Sequence, residues 1–252
     1  MSHHNQQQRE QEQQNSSDED NNIRRQGNSG EIPFEEFLDG WLVRQQNYLD
    51  ELIHTNANST EIPEDQLKAL ISRVLGHYQQ YYEAKSIASR RDVFVLFSPP
   101  WFSTYERTFL WIAGFKPGLL LRILNKAVKD LSEDQSSRVR RIDTETKVAE
   151  RELNQEMAAI QERVVSPELV DLARRGGRLI DGETLDRDSE FQCLKEAMEA
   201  VVVAADYLRV TVTRNIVEVL NPMQAISFLA GATQLQVRIR VWGSQMERRR
   251  TN

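Results

Sequence analysis

The chain has 252 residues, 39% hydrophobic and 28% charged, with 32 Lys and Arg against 38 Asp and Glu for a net charge of −6. A single cysteine, Cys193, excludes an internal disulfide framework and a thiolate metal site, and four histidines, two of them His3 and His4, leave almost nothing for a zinc site or a histidine-based triad. The negative balance disfavours stand-alone binding to a phosphate backbone.

Residues 1–31 read as a leader. Gln6, Gln7, Gln8, Gln11, Gln13 and Gln14 precede Ser16-Ser17-Asp18-Glu19-Asp20. With nothing to bury, the ordering entropy has no offset, so the composition predicts disorder. The leader either carries regulation through Ser16 and Ser17 or only solubilises. Met1-Ser2-His3-His4-Asn5 runs into glutamines and not into an apolar h-region, so a signal peptide is not expected. The most apolar stretch, Ala200 to Ala205, ends at Asp206, well short of the roughly 20 residues of a membrane-spanning helix. The expectation is a soluble intracellular chain.

From Pro33 the period becomes helical. Phe34, Phe37, Leu38, Trp41, Leu42, Leu49, Leu52 and Ile53 step mostly by three and four, up to Asn56-Ala57-Asn58-Ser59. Pro63, Glu64 and Asp65 open a second helix along Leu67, Leu70, Ile71, Val74, Tyr78, Tyr81 and Lys85, expected to run on towards Phe97, with a short strand over Val93–Phe97 as the alternative. Ser98-Pro99-Pro100 breaks the chain. Ser103 and Glu106 have capping-box spacing, before a short helix expected through Ile112 and a stop at Gly114. Pro117 opens the next helix, with Leu120, Leu121, Leu124, Val128 and Leu131 inward.

From Glu133 to Val165 an apolar seam (Val139, Ile142, Thr146, Ala149, Leu153, Met157, Ile160, Val164) runs along an otherwise charged helix, as in a coiled-coil-like hairpin arm. The seam must meet another, either on the helix after Ser189 or in a second copy, which makes a homodimer plausible. Ser166-Pro167 ends it, and Gly176-Gly177 to Asp188 is the main loop. Two more helices follow, Ser189–Leu220 and one after Asn221-Pro222 that ends in Arg248-Arg249-Arg250. The expectation is an all-α domain of about seven to eight helices over 32–252.

No catalytic or metal-binding residue is assigned. His77, among Tyr78, Tyr81 and Tyr82, is either a general base or a histidine on the polar edge of a helix, and no second His or Cys stands near it in sequence. His54 suits a helix C-terminus. Asp18-Glu19-Asp20 and Asp181-Gly182-Glu183 lack the ligand alternation of a calcium loop, and Gly176-Gly177 precedes no Lys-Ser/Thr pair. Glu145, Glu152 and Glu156 read as a solvated face. Arg238, Arg240, Arg248, Arg249 and Arg250, set against Glu247, leave +4 near the C-terminus. They form a basic patch suited to nuclear import, phosphates or an acidic membrane, or they simply complement a helix dipole. Trp41, Trp101, Trp111 and Trp242 are expected in the core, with a partner groove at Trp101 and Phe102 as the alternative for that pair.

The runs His77-Tyr78-Gln79-Gln80-Tyr81-Tyr82-Glu83-Ala84-Lys85, Pro100-Trp101, and Tyr105-Glu106-Arg107-Thr108-Phe109-Leu110-Trp111-Ile112-Ala113-Gly114-Phe115-Lys116-Pro117 resemble one plant family. Ala205-Asp206-Tyr207-Leu208-Arg209, Leu220-Asn221-Pro222-Met223-Gln224-Ala225 and Trp242-Gly243 agree with it. It is the Delay of Germination (seed dormancy control) domain, also found C-terminal to the bZIP of TGA transcription factors. The resemblance spans about Pro33 to Arg250. It implies an all-α, non-enzymatic regulatory protein in the nucleus or cytoplasm, with bZIP factors or protein phosphatases as partners. Trp101, Phe102 and Arg107 are then the partner-binding candidates. The haem-binding family member has two histidines, four apart, where this chain has Gln236 and Arg240, neither a normal haem ligand, so no cofactor is expected.

Four function classes follow. The chain is an interaction module for transcription or seed dormancy, with pollen-aperture patterning at the cell surface as an alternative. It contacts DNA, which is disfavoured for this chain alone but open to it beside a bZIP partner. It holds haem or a lipid-like molecule between helices. Or it is an enzyme, for which the residues offer least.

Overall fold

The computed structural model describes residues 33–58, 62–163 and 183–251, and among these the apolar residues at helical spacing, cut by Pro63, Pro99-Pro100, Pro117 and Pro222, form seven α-helices. They are α1 (Phe34–Ala57), α2 (Glu64–Arg91), α3 (Thr104–Arg107), α4 (Gly118–Ala127), α5 (Glu133–Arg163), α6 (Glu183–Val219) and α7 (Pro222–Thr251), with a 3-10 turn at Phe94–Leu96. No strand occurs among the described residues, so the all-α expectation holds. The leader over 1–31 with Ser16 and Ser17, the Ser166-Pro167 break and the Gly176-Gly177 loop lie outside them. The chain divides into two units, Met1–Phe37 and Leu38–Asn252. In the first, the Phe34 and Phe37 rings lie 6.0 Å apart.

Local chemistry sets the helix ends. Glu64 and Asp65 occupy the first turn of α2, and Arg90 and Arg91 the last, each complementing the helix dipole. The expected continuation to Phe97 does not form. Asp92 is extended (φ −148°, ψ 97°) and its Oδ1 accepts the Phe94 amide at 3.0 Å, which turns the chain into the 3-10 segment. At α3 the capping box is complete: Ser103 Oγ accepts the Glu106 amide at 3.2 Å, and Glu106 Oε2 accepts the Ser103 amide at 2.8 Å. This helix is a single turn and does not reach Ile112. A tight turn over Trp111–Gly114 replaces the expected continuation, with Ile112 (φ 44°) and Ala113 (φ 55°) in the left-handed region.

Within the chain the seam meets α6. α5 buries Val139, Ile142, Thr146, Glu150, Leu153 and Ile160, and its main neighbour is α6 of the same chain. The core forms two apolar clusters. The larger joins Leu52, Leu70, Leu124, Ile142, Ile216 and Phe228 with neighbours from α1, α2 and α4–α7. The smaller joins Val93, Leu96, Ile112, Leu153, Val201 and Ala205. α6 serves both. Each fully buried side chain, such as Leu52, Leu124 or Ile216, contributes about 1.5–3 kcal/mol of transfer free energy.

Candidate functional site

Between the two clusters α6 carries Asp206 and Arg209, three residues apart on a helix whose Val201, Val202, Ala205, Val212 and Ile216 are buried. Lys85 of α2 donates to Asp206 Oδ1 at 2.9 Å, and Arg209 donates to the same oxygen at 2.5 Å. The rest of the Arg209 guanidinium grips the turn after α3. Its Nε donates to the Phe115 carbonyl at 2.7 Å, and another nitrogen to the carbonyls of Trp111 (2.5 Å) and Ile112 (3.0 Å). It also lies over the Trp111 ring at 5.4 Å. Such a fork of donors is what arginine offers and lysine cannot. It helps hold the left-handed backbone at Ile112, a costly conformation for a β-branched residue.

Two cations share one carboxylate here, away from bulk water. Burial pushes the Lys85 ammonium down to about 8, with Asp206 opposing the shift and Arg209 adding to it. Burial also raises the Tyr81 and Tyr82 phenols above their ordinary value. Beside this node lies a cavity of about 880 Å3 between α2, α4, α6 and α7. Leu75, Leu120, Val210, Phe228 and Leu229 supply apolar wall, and Tyr82, Lys85, Asp206 and Arg209 supply its polar section. That volume and mixture match a pocket for a small organic ligand.

A second polar group ties α1 to α2 and α7. Gln45 Nε2 donates to the Tyr78 hydroxyl (2.7 Å) and to Gln236 Oε1 (3.0 Å), while the Tyr78 hydroxyl lies 3.1 Å from Thr233 Oγ1. His77 lies next to it and is buried, not on a polar edge. Its ring stacks on Trp41 at 4.4 Å with 5° between the planes, and neither ring nitrogen has a hydrogen-bond partner. Burial, aided by Arg44, pushes the imidazole down to about 4. With both nitrogens closed in, it is a packing element and no general base.

The sequence candidates fall in several places. Trp101 and Phe102 are half-buried at the turn before α3; Phe102 lines both the large cavity and a smaller one of about 320 Å3 between α1 and α7. Arg107 is half-buried at the end of α3. Gln236 and Arg240 both line the smaller cavity. Gln236 is held in the Tyr78 group, and Arg240 faces Glu106 at 3.3 Å and the Trp101 carbonyl at 3.4 Å. Arg240 thus turns inward, whereas Arg238, Arg248, Arg249 and Arg250 are exposed. Trp41 is fully buried and Trp111 half-buried, but Trp242 is 43% exposed, against the expectation that all four tryptophans are core. Glu145, Glu152 and Glu156 are solvated as expected. Among the described residues no three His, Cys, Asp or Glu side chains gather to hold a metal ion. Sequence reasoning missed the Lys85–Asp206–Arg209 node. Its signal was there: two charges three residues apart interrupt the most apolar stretch of the longest helix.

Comparison with known proteins gives one family model and three relatives that agree with it. A family model described as seed dormancy control, DOG1, matches residues 48–126, from the second half of α1 to the end of α4. Protein ZW2 of Arabidopsis thaliana is 37% identical over 215 residues, covering 83% of this chain and 96% of that protein. Protein RESPONSE TO ABA AND SALT 1 of the same plant is 35% identical, covering 82% and 93%. Transcription factor TGA3, also of Arabidopsis thaliana, is 29% identical, covering 86% of this chain and 55% of the factor.

Proposed function

The chain belongs to the seed dormancy control (DOG1) family, and on that premise we propose that it is a non-enzymatic plant regulatory protein whose helical domain recruits other regulators. The observation that carries this is the pattern of coverage. The same helices account for nearly all of ZW2 and about half of a transcription factor, so the shared element is a module used both with and without a further domain. The Lys85–Asp206–Arg209 and Gln45–Tyr78–Gln236 groups fit this reading, because both are spent on holding helices or a turn together.

Partners of the bZIP or protein phosphatase class, and a nuclear or cytoplasmic site of action, go with this proposal. Trp101, Phe102 and Arg107, on the short segment around α3, form its partner-binding face. DNA is then reached through a bZIP partner, not by the chain alone. No helix among the described residues is long and apolar enough to cross a membrane. Affinity capture of the full chain from plant tissue, read by mass spectrometry against a leader-only control, tests the reading. Enrichment of bZIP factors or phosphatases supports it; enrichment of cortical proteins alone moves the chain to cell-surface patterning.

The cavity of about 880 Å3 favours a second reading, in which the module holds an apolar small molecule between α2, α4, α6 and α7. Native mass spectrometry of the purified chain would show a retained mass under this reading and a bare chain otherwise.

A further inference from the structure

Along the outer half of α7, positions 235, 238, 242, 246 and 249 recur every three to four residues and so share one face. Leu235, Trp242 and Met246 on that face are exposed, at 36%, 43% and 48%. Arg238 and Arg249 are exposed between and beyond them, with exposed Arg250 alongside, whereas Arg248 lies on the side of the smaller cavity. The stripe directly borders the seated side of the same helix, where Leu235 and Ile239 both line the large cavity. Ile239 is buried, and a methyl group on Gly243 would stand 2.0 Å from Ser103 Oγ, so α7 and the start of α3 are in close contact there. Glu247, the acid among these arginines, accepts the Thr104 amide at 2.9 Å and is turned towards α3. The result is an exposed helix face with an apolar stripe and arginines along it.

Scattered exposed apolar residues need no explanation. Three on one stripe, interleaved with cations and with no acid on the stripe, are a different matter. We propose that this face of α7 docks on an anionic lipid bilayer, with Leu235, Trp242 and Met246 at the acyl–headgroup boundary and the arginines on headgroup phosphates. The face thus brings together the apolar and cationic groups that a membrane interface accepts, and tryptophan suits that boundary because it is apolar with one polar edge. Charge complementarity selects an anionic surface. The chain's net charge of −6 does not prevent it, because charges further away than about 8 Å are screened in physiological salt. Duplex DNA fits less well: it would meet the arginines but leave the apolar stripe without a use.

The test uses the full chain and vesicles of phosphatidylcholine, either alone or mixed with phosphatidylserine, separated by flotation. The expected result is binding to the phosphatidylserine vesicles only, weakening as salt rises. Arg238→Gln, Arg249→Gln and Arg250→Gln together should lower binding about a hundredfold. Trp242→Ser with Met246→Ser, which keeps every charge, should lower it by about tenfold or more. All five side chains are exposed, so helicity by circular dichroism should not change. Equal binding to both vesicle types, no binding to either, or undiminished binding by both variants would overturn the proposal. So would retention of duplex DNA in place of vesicles, unaffected by Trp242→Ser with Met246→Ser.

Discussion

Arg209 lies so close to Gly114 that a methyl group on the glycine would stand 2.8 Å from the guanidinium carbon. The side chain cannot swing away, because Asp206 and the carbonyls of Trp111, Ile112 and Phe115 hold it from several directions. Gly114→Ala should therefore cost about 1–3 kcal/mol in denaturant unfolding. Gly76 is the control. It is exposed within α2 and a methyl group there meets nothing within 4 Å, so Gly76→Ala should stabilise by about 0.5–1 kcal/mol.

Asp206 is the carboxylate between Lys85 and Arg209. Asp206→Asn leaves two buried cations without it and should destabilise by about 3–5 kcal/mol. Adding Lys85→Met should recover much of that loss, which a double-mutant cycle would read as a coupling of the two positions.

The same lysine makes a pH signature. Its folded-state pKa, about 8, lies below the ordinary lysine value of 10.5, so between those values the unfolded chain binds more protons than the folded one. Stability contributed by this group therefore rises with pH across that window. The difference in unfolding free energy between wild type and Lys85→Met should shift in favour of wild type from pH 8 to pH 10. A flat difference would mean that Lys85 titrates as an exposed lysine does.

His77 acts at the other end of the scale. Its folded value of about 4 lies below the ordinary 6.5, so the unfolded chain takes up this proton first as pH falls. Stability is lost between pH 6.5 and about pH 4, by about 2–3 kcal/mol in all. His77→Phe, which keeps a ring against Trp41, should remove this part of the acid sensitivity in a pH series of thermal unfolding.

Ile142 and Leu153 on α5 are buried within one chain, in the larger and the smaller apolar cluster respectively. Ile142→Asp and Leu153→Asp should each unfold the domain outright, seen as lost helicity. A folded monomer from either variant would mean that the seam serves a second copy instead.

The long helices are legible in the sequence because their apolar residues recur at a helical period and proline marks their ends. Ser103 and Glu106 likewise announced a capping box by spacing alone. The segment between α3 and α4 was not legible. Phe109, Leu110, Trp111 and Ile112 look helical as a string, but Arg209, nearly a hundred residues later, binds the carbonyls of that turn and holds it open. The burial of His77 was hidden for the same reason, since it depends on Trp41 stacking from another helix. Of the candidate site, the residue types were readable, and their grouping was not. Nothing local says that Arg240 turns inward to Glu106 while Arg238 stays outside.

On the proposed function, the module recognises regulators through the surface around α3. The most direct measurement is quantitative capture of partners from plant tissue by the wild-type chain and by a Phe102→Ser, Arg107→Ser variant of matched helicity and thermal stability. The regulatory partners held by the wild type should be lost from the variant. Undiminished capture of the same partners would contradict it.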